Sequence, residues 1–315
     1  MVRFAAEKIG QAVVILFVVT IGVSALFELI PGSPAALVLG DTSAPGALAK
    51  FNHDHGYDRP FLSRYGTWIS DALHGNLGTS VQSNQTVTHV LAAHIAVTLE
   101  IAILAMVVSL LIAVPLAMYC GAHENGWTDR VVTGISSGLF SLPTFVTAVF
   151  LSELFAAKAQ LLPTYGWTPL SQSLSQNLQH AAMPVMALCI SITPLFLRVL
   201  RADVVGVLRE DFVLSARAKG LPDRYILMRH VLRPACVSLF TISALVFGFL
   251  LGGSIVIETY FALPGIGQVV SQAVTAKDLP VVQGVVVVVA LIFLLLNTLV
   301  DVAYAVIDPR VAAAR

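Results

Sequence analysis

Five cations, Arg217, Lys219, Arg224, Arg229 and Arg233, fall within the stretch Glu210–Pro234 (EDFVLSARAKGLPDRYILMRHVLRP), and no other stretch of the chain is as densely charged. Arranged around a Gly-Leu-Pro break, they suit a docking surface for a soluble partner and not a reaction centre. Other residues able to do chemistry are scattered. His53 and His55 stand close together with Asp54 and Asp58 nearby, but a His-Asp-His run in a loop does not by itself supply the converging geometry a metal needs. A solvated loop is the expectation there, with a weak metal or substrate contact as the alternative. Cys120, Cys189 and Cys236 have neither disulfide nor metal spacing and read as small buried apolar residues.

Carboxylates in apolar spans are functional candidates by default. Glu28, Glu100, Glu153 and Glu258 each lie near one edge of a span, and Asp301 lies near the opposite end of the last. They read as interfacial groups reaching water, with no opposite-charge pair at mid-span of the kind a proton-coupled carrier needs. The chain has no GxxxxGK[ST] phosphate loop, no HExxH and no GxSxG, and Gly252-Gly253-Ser254 lacks the lysine of a nucleotide loop. No catalytic residue, cofactor-binding residue or metal ligand is therefore expected, and the energy for any uphill transport must come from elsewhere.

The elements that position the basic stretch are set by composition. Of 315 residues 57% are hydrophobic and 11% charged, and the mean hydropathy of +0.85 excludes an ordinary soluble domain. Six runs reach the length of about 20 residues that crosses a hydrocarbon core: Ile9–Ile30, Thr98–Tyr119, Val132–Ala156, Ala181–Leu200, Cys236–Ile257 and Pro280–Val306. Backbone groups in lipid must be satisfied within their own segment, so the expected class is an all-α membrane protein of six transmembrane helices. Pro115, Pro143, Pro184 and Pro194 loosen three central helices, as moving pore walls require. The positively charged N-terminal end precedes an apolar run longer than a signal-peptide core, which reads as an uncleaved first helix.

With six spans both termini share a side, and that side holds thirteen of the eighteen Lys and Arg residues. The positive-inside rule makes it cytoplasmic, with the Glu210–Pro234 loop on the same side. Two regions are expected: 1–97, the first span and an extracytoplasmic subdomain, and 98–315, a five-span core with a cytoplasmic loop over 203–235. The outer region holds Pro31–Pro34, the turn-rich Gly40–Gly46, and an amphipathic stretch Arg59–Leu73 with Phe61, Tyr65, Trp68 and Leu73 near one helical face. Asn84-Gln85-Thr86 matches a glycosylation triplet but reads as a turn. In the loop, Asp211 can cap a short helix in which Phe212, Ala216 and Lys219 share a face, ended by Gly220 and Pro222. A second helix is expected over Asp223–Leu232. Such a short helix can transmit a rigid-body push; the alternative, a basic loop binding lipid headgroups, accounts for the charge alone.

At these residues the chain resembles the inner-membrane permeases of ATP-binding-cassette (ABC) importers, whose shared loop reads EAA, three residues, Gly. Gly220 fills the glycine and Ala216 the second alanine, Leu214 and Ser215 replace Glu and the first Ala, Leu232 fits the downstream leucine, and Pro234 falls one place late. ARAKGL at Ala216–Leu221, with His230 ten residues after the glycine, is similar to the dipeptide/oligopeptide/nickel branch. IPGSP at Ile30–Pro34, GYDRP at Gly56–Pro60, GNLGTS at Gly75–Ser80, GGSIVIETYFALPGIG at Gly252–Gly267, DLPVVQG at Asp278–Gly284 and NTLVDVAYAVIDPR at Asn297–Arg310 follow that branch's order, and the long outer segment resembles its B-type subunit.

The resemblance implies a type I ABC importer permease (MetI-like) fold. It also implies partners: a second homologous permease in a heterodimer, two ABC ATPase domains that use the ATP, an extracytoplasmic substrate-binding protein and the surrounding lipid, with no nucleic acid. Ala216, Arg217, Ala218, Lys219, Gly220 and Leu221 would form the ATPase-coupling loop, with Arg217 and Lys219 facing acidic groups and Leu221 seated in a groove. Glu258, Pro264, Gly265 and Gly267 would lie on the binding-protein side. Peptides are the expected cargo, with nickel, glutathione or haem handled by close relatives. A secondary transporter working without ATP is the rival class, and an intramembrane enzyme a third.

Overall fold

Apolar runs that cannot reach water satisfy their backbone as helices, and the computed structural model, which describes residues 2–29, 34–39 and 45–307, is built from them. In chain order these are α1 (Val2–Leu29), α2 (Pro34–Leu39), α3 (Pro45–Asp54), α4 (Phe61–Leu73), α5 (Val87–Ala122), α6 (Trp127–Phe140), α7 (Thr144–Leu151) continued by a π-helical turn (Ser152–Lys158), and α8 (Leu174–Leu208). There follow α9 (Asp211–Ala218), α10 (Asp223–Tyr225), a π-helical segment (Ile226–Val231), α11 (Leu232–Gly253), α12 (Ile255–Tyr260), α13 (Ile266–Thr275) and α14 (Leu279–Ile307). Among the described residues there is no β-strand, only one isolated antiparallel bridge, Thr79 to Thr86. The motif segments Ile30–Ser33, Gly40–Ala44 and Asp308–Arg310, together with Arg315, lie outside the described residues.

Five helices are long and apolar enough to cross a membrane, and a sixth crossing arises if one bent pair is counted as a single span. That pair falls on the expected third span, Val132–Ala156, which is not one rod: Trp127–Phe140 and Thr144–Lys158 meet at 98°. Pro143, extended at φ −61° and ψ 139°, has no N–H to continue the ladder of α6 and instead caps the start of α7. The expected fifth span also differs. Helical structure runs without a break from Asp223 through the π-helical segment into α11, so the second loop helix is the start of that span. Pro234 explains the widened turn: it has no N–H to offer the carbonyl of His230, and i→i+5 bonding upstream relieves the clash.

The chain packs as two units, one formed by the chain up to Thr98 with Pro264–Leu294, the other by Leu99–Leu263 with the chain from Leu295 onward. In the first, Val87, Leu91, Ile266, Ala273, Val281, Val282 and Val285 form a core cluster. Gly284 lets α14 close on α5, since a Cβ there would stand 2.3 Å from Val87 Cγ1. Two motif segments of unassigned role meet here. Ser80 of GNLGTS donates its hydroxyl to Asp278 of DLPVVQG at 2.5 Å, and the Gln82 N–H reaches the same oxygen at 3.2 Å. Gln283 donates to Ser24 of α1 at 2.6 Å.

Helix α4 lays Phe61, Tyr65 and Trp68 in a stacked row. The Tyr65 hydroxyl shares a 2.8 Å hydrogen bond with Thr20 of α1, and Arg64 pairs with Glu28. Leu73, expected on this face, points outward and is 82% exposed, because the buried stripe at Tyr65 and Trp68 continues through Ala72. His53 closes α3 instead of lying in a loop; its Nδ1 is 3.0 Å from Asp58, and His55 stacks on Phe51 with 4.1 Å between ring centroids. The Asp58 carboxylate raises the His53 pKa above its ordinary value, and burial, with the Asp278 charge second, pushes the Tyr57 phenol to about 12. Asn84 sits at φ 55° in a turn held by Ser80 and Gln85 backbone bonds.

In the second unit α8 is the central helix, packed by α6, α7 and α11. Its interior Pro184 and Pro194 each delete one ladder bond. Cys120 and Cys189 are buried and Cys236 half-buried, all as free thiols.

Candidate functional site

The Glu210–Pro234 loop is held by short-range backbone chemistry. Helix α8 ends at Leu208, Arg209 caps it, and Glu210 in extended conformation starts α9 by accepting the Val213 and Leu214 N–H groups. Glu210 thus occupies the N-cap position expected for Asp211, which is the first helical residue and lies where a carboxylate favours the helix dipole. The other end is a Schellman turn: Gly220 N–H donates to Arg217 carbonyl at 2.9 Å and Leu221 N–H to Ala216 carbonyl at 3.4 Å. Gly220 stands at φ 74°, the left-handed region that closes this motif.

Burial assigns the faces of α9. Val213 is 0% and Ala216 6% exposed, and α9 packs against the end of α8 and the π-helical segment, where Ile226 and Val231 are also buried. The expected face of Phe212, Ala216 and Lys219 is therefore split, because Val213 and Ala216 are the three-apart pair that points inward. Phe212, Leu214, Arg217, Ala218, Lys219 and Gly220 all point outward, with Leu221 half-buried. Tyr225 and Met228 extend the exposed apolar surface. Arg217 contacts Asp223 at 3.7 Å with both side chains largely exposed, a pair worth less than about 1 kcal/mol and easily exchanged for another acid. The outcome is a firm, inward-anchored platform presenting Phe212, Leu214, Tyr225 and Met228 beside the exposed cations Arg217 and Lys219.

Behind the platform lie two ion pairs that the positive-inside count treats as free cations. Arg201 of α8 grips Asp129 in the first turn of α6 with both forks, Nε to Oδ1 at 2.5 Å and Nη2 to Oδ2 at 2.6 Å. Asp129 also accepts the Asn125 N–H at 2.9 Å. Arg209 reaches Glu124 at 2.8 Å. Sequence reasoning missed both pairs, since the partners are 72 and 85 residues apart; the one local sign is Asp129 placed just inside a helix start after Gly126.

The residues expected on a binding-protein side are more deeply set than an exposed turn. Glu258 is fully buried, not reaching water as expected, and accepts the Ser254 hydroxyl at 2.8 Å. Gly265 and Gly267 are buried, and Pro264 is half-buried. The Ile266 N–H donates to Thr98 Oγ1 at 2.8 Å. Among the described residues no group of three or more His, Cys, Asp or Glu side chains could hold a metal ion.

Comparison with known proteins follows the same outline. Residues 113–313 match the family described as the inner membrane component of binding-protein-dependent transport systems, and residues 1–102 match the N-terminal region of such membrane components. The chain is 32% identical over 305 residues to a "Putative peptide transport system permease protein" of Brucella abortus (strain 2308), covering 97% of each chain. It is 31% identical over 311 residues to the glutathione transport system permease protein of Shigella flexneri serotype 5b, covering 99% of each. Among solved structures, an inward-facing form of the MetNI methionine ABC transporter aligns with a TM-score of 0.57 at 16% identity, covering 70% of this chain and 97% of that one. At that identity the likeness concerns the fold, and it matches the expected type I permease architecture.

Proposed function

This chain belongs to the family of inner membrane components of binding-protein-dependent transport systems, and from that premise we propose that it forms half of the membrane path of an ATP-driven peptide importer. The names of its relatives favour this cargo: the Brucella protein is named as a peptide transport system permease and the Shigella protein as a glutathione transport system permease. Glutathione itself is the second reading, on the strength of the latter relative. The other half is a second, homologous permease, with two ABC ATPase domains on the cytoplasmic side and a substrate-binding protein outside. The chain acts without catalysing a reaction or binding a cofactor, and ATP is consumed by its partners. Both termini and the Glu210–Pro234 loop face the cytoplasm of a prokaryotic inner membrane, as the bias of Lys and Arg supports.

One observation carries the coupling role. Val213 and Ala216 bury one face of α9 while Phe212, Leu214, Arg217 and Lys219 stand outward, so the helix can seat in a groove of an ATPase and still be braced from behind. Closure of the ATPases then moves the helix as a rigid body and switches the path between outward- and inward-facing packings. Ala216 through Leu221 set the position of that contact, Gly220 by its turn and Leu221 by its apolar side chain. Of Glu258, Pro264, Gly265 and Gly267, only Pro264 has surface to offer a binding protein, the other three being buried.

The test is purification of this chain in detergent with its native operon expressed, followed by mass spectrometry. Recovery with ATPase subunits, a second permease and a binding protein whose bound ligand is a peptide supports the reading. Recovery as a homo-oligomer with no ATPase would turn the loop back into a lipid-facing basic patch.

A further inference from the structure

The strongest unassigned feature is the pair of carboxylate–guanidinium bridges behind the loop. Both start from one short turn, His123–Gly126 with the first residues of α6; one ends on Arg201 near the end of α8 and the other on Arg209, which caps that helix. Asp129 is the deeper, with 3% of its side chain exposed against 24% for Arg201, and the two-fork geometry fixes orientation as well as distance. Between the bridges, α5 and α8 touch at Gly121, where even a Cβ would stand 2.5 Å from Val204 Cγ1. Ionic, hydrogen-bonded and steric contacts thus lock the end of α5 and the start of α6 to the end of α8.

The location of this lock relative to two other features gives it a role. Helix α9 follows α8 after only Arg209 and Glu210, so a push on α9 arrives first at the locked turns. Pro194, seven residues before Arg201, leaves the Ile190 carbonyl without its ladder partner, a place where α8 can flex. The lock lies between the flexible point and the push.

We infer that Asp129 and Arg201, seconded by Glu124 and Arg209, are positioning residues for coupling: they make the end of α5, the start of α6 and the last turns of α8 move with α9 as one block. The inference rests on the coupling role proposed above. Without the clamp, the end of α8 bends at Pro194 and takes up the displacement of α9 locally, so ATP is hydrolysed without moving the α5–α6 turn.

The experiment uses the whole complex reconstituted in liposomes and reads peptide transported per ATP hydrolysed, with thermal unfolding recorded alongside. Asp129→Asn and Arg201→Met are expected to lower the ratio about tenfold, the scale of ordinary intersite coupling, while ATP hydrolysis continues; the exchange Asp129→Arg with Arg201→Asp is expected to restore most of it. A merely structural pair would lower thermal stability and leave the ratio of the surviving complex unchanged, and that result overturns the inference. If Asp129→Asn does not accumulate, Arg209→Gln and Glu124→Gln probe the same clamp at exposed positions, and an unchanged ratio in both overturns it equally. Failure of the underlying reading is distinct: the wild-type chain would then bring down no ATPase and show no ATP-dependent uptake at all.

Discussion

Gly220 offers the sharpest test of the loop, because its environment isolates a single energy term. At φ 74° with nothing within 4 Å of a Cβ built on it, Gly220→Ala introduces no clash. Only the left-handed backbone is penalised, by about 1–2 kcal/mol for an L-residue. A more restricted unfolded chain offsets about 0.4–1 kcal/mol of this. The net cost of about 1 kcal/mol corresponds to about a fivefold fall in the population of the Schellman turn. Asn tolerates the left-handed region better, so Gly220→Asn should lose less than about twofold. Gly220→Glu carries the full backbone cost and adds a carboxylate beside Arg217 and Lys219, competing for the cations proposed above to meet the ATPase. The assay titrates the ATPase that co-purifies with the wild-type complex against permease variants in nanodiscs, with binding-protein-stimulated hydrolysis as a second readout. The expected order of affinity is Gly, Asn, Ala, Glu. Equal binding of the Gly220→Ala and wild-type proteins would refute the claim that the docked loop needs this turn, and unchanged stimulation in Gly220→Glu would remove the coupling role.

Other expectations concern packing and titration. Gly284→Ala should lower unfolding temperature in detergent by the equivalent of about 1–3 kcal/mol, since its Cβ would run into Val87 within the packed core; pairing it with Val87→Ala should recover part of the loss. Tyr65→Phe removes the hydrogen bond to Thr20, whose hydroxyl still reaches the Leu16 carbonyl at 2.7 Å, so a cost of about 1 kcal/mol is expected by thermal unfolding. The His53 ring should titrate above its ordinary 6.5 by NMR of ¹³C-labelled histidine, and Asp58→Asn should bring it back down. Because His53 is raised and Asp58 lowered, their pair is complete from above the ordinary Asp value to below the ordinary His value. It is lost as pH rises through the raised His53 value or falls through the lowered Asp58 value.

Chain segments whose structure depends on near neighbours are legible in the sequence. The apolar runs specify where spans lie because lipid leaves helix as their backbone solution. ARAKGLP ends a helix because alanine and lysine propagate it, glycine turns it and proline forbids continuation. The aromatic spacing of Phe61, Tyr65 and Trp68 locates the inner face of α4. The basic loop is visible because charge density needs no partner to be counted.

Tertiary structure decided what depends on which distant groups meet. Asp129 reads as an ordinary first-turn acid until Arg201 closes on it, and the same holds for Ser80 with Asp278, 198 residues apart. The inward turn of Val213 in place of Phe212 likewise depends on what packs alongside, the end of α8 and the π-helical segment. A local pattern records a segment's own hydrogen bonds and hydrophobic period, whereas side-chain pairing across the fold is chosen only when the helices have met.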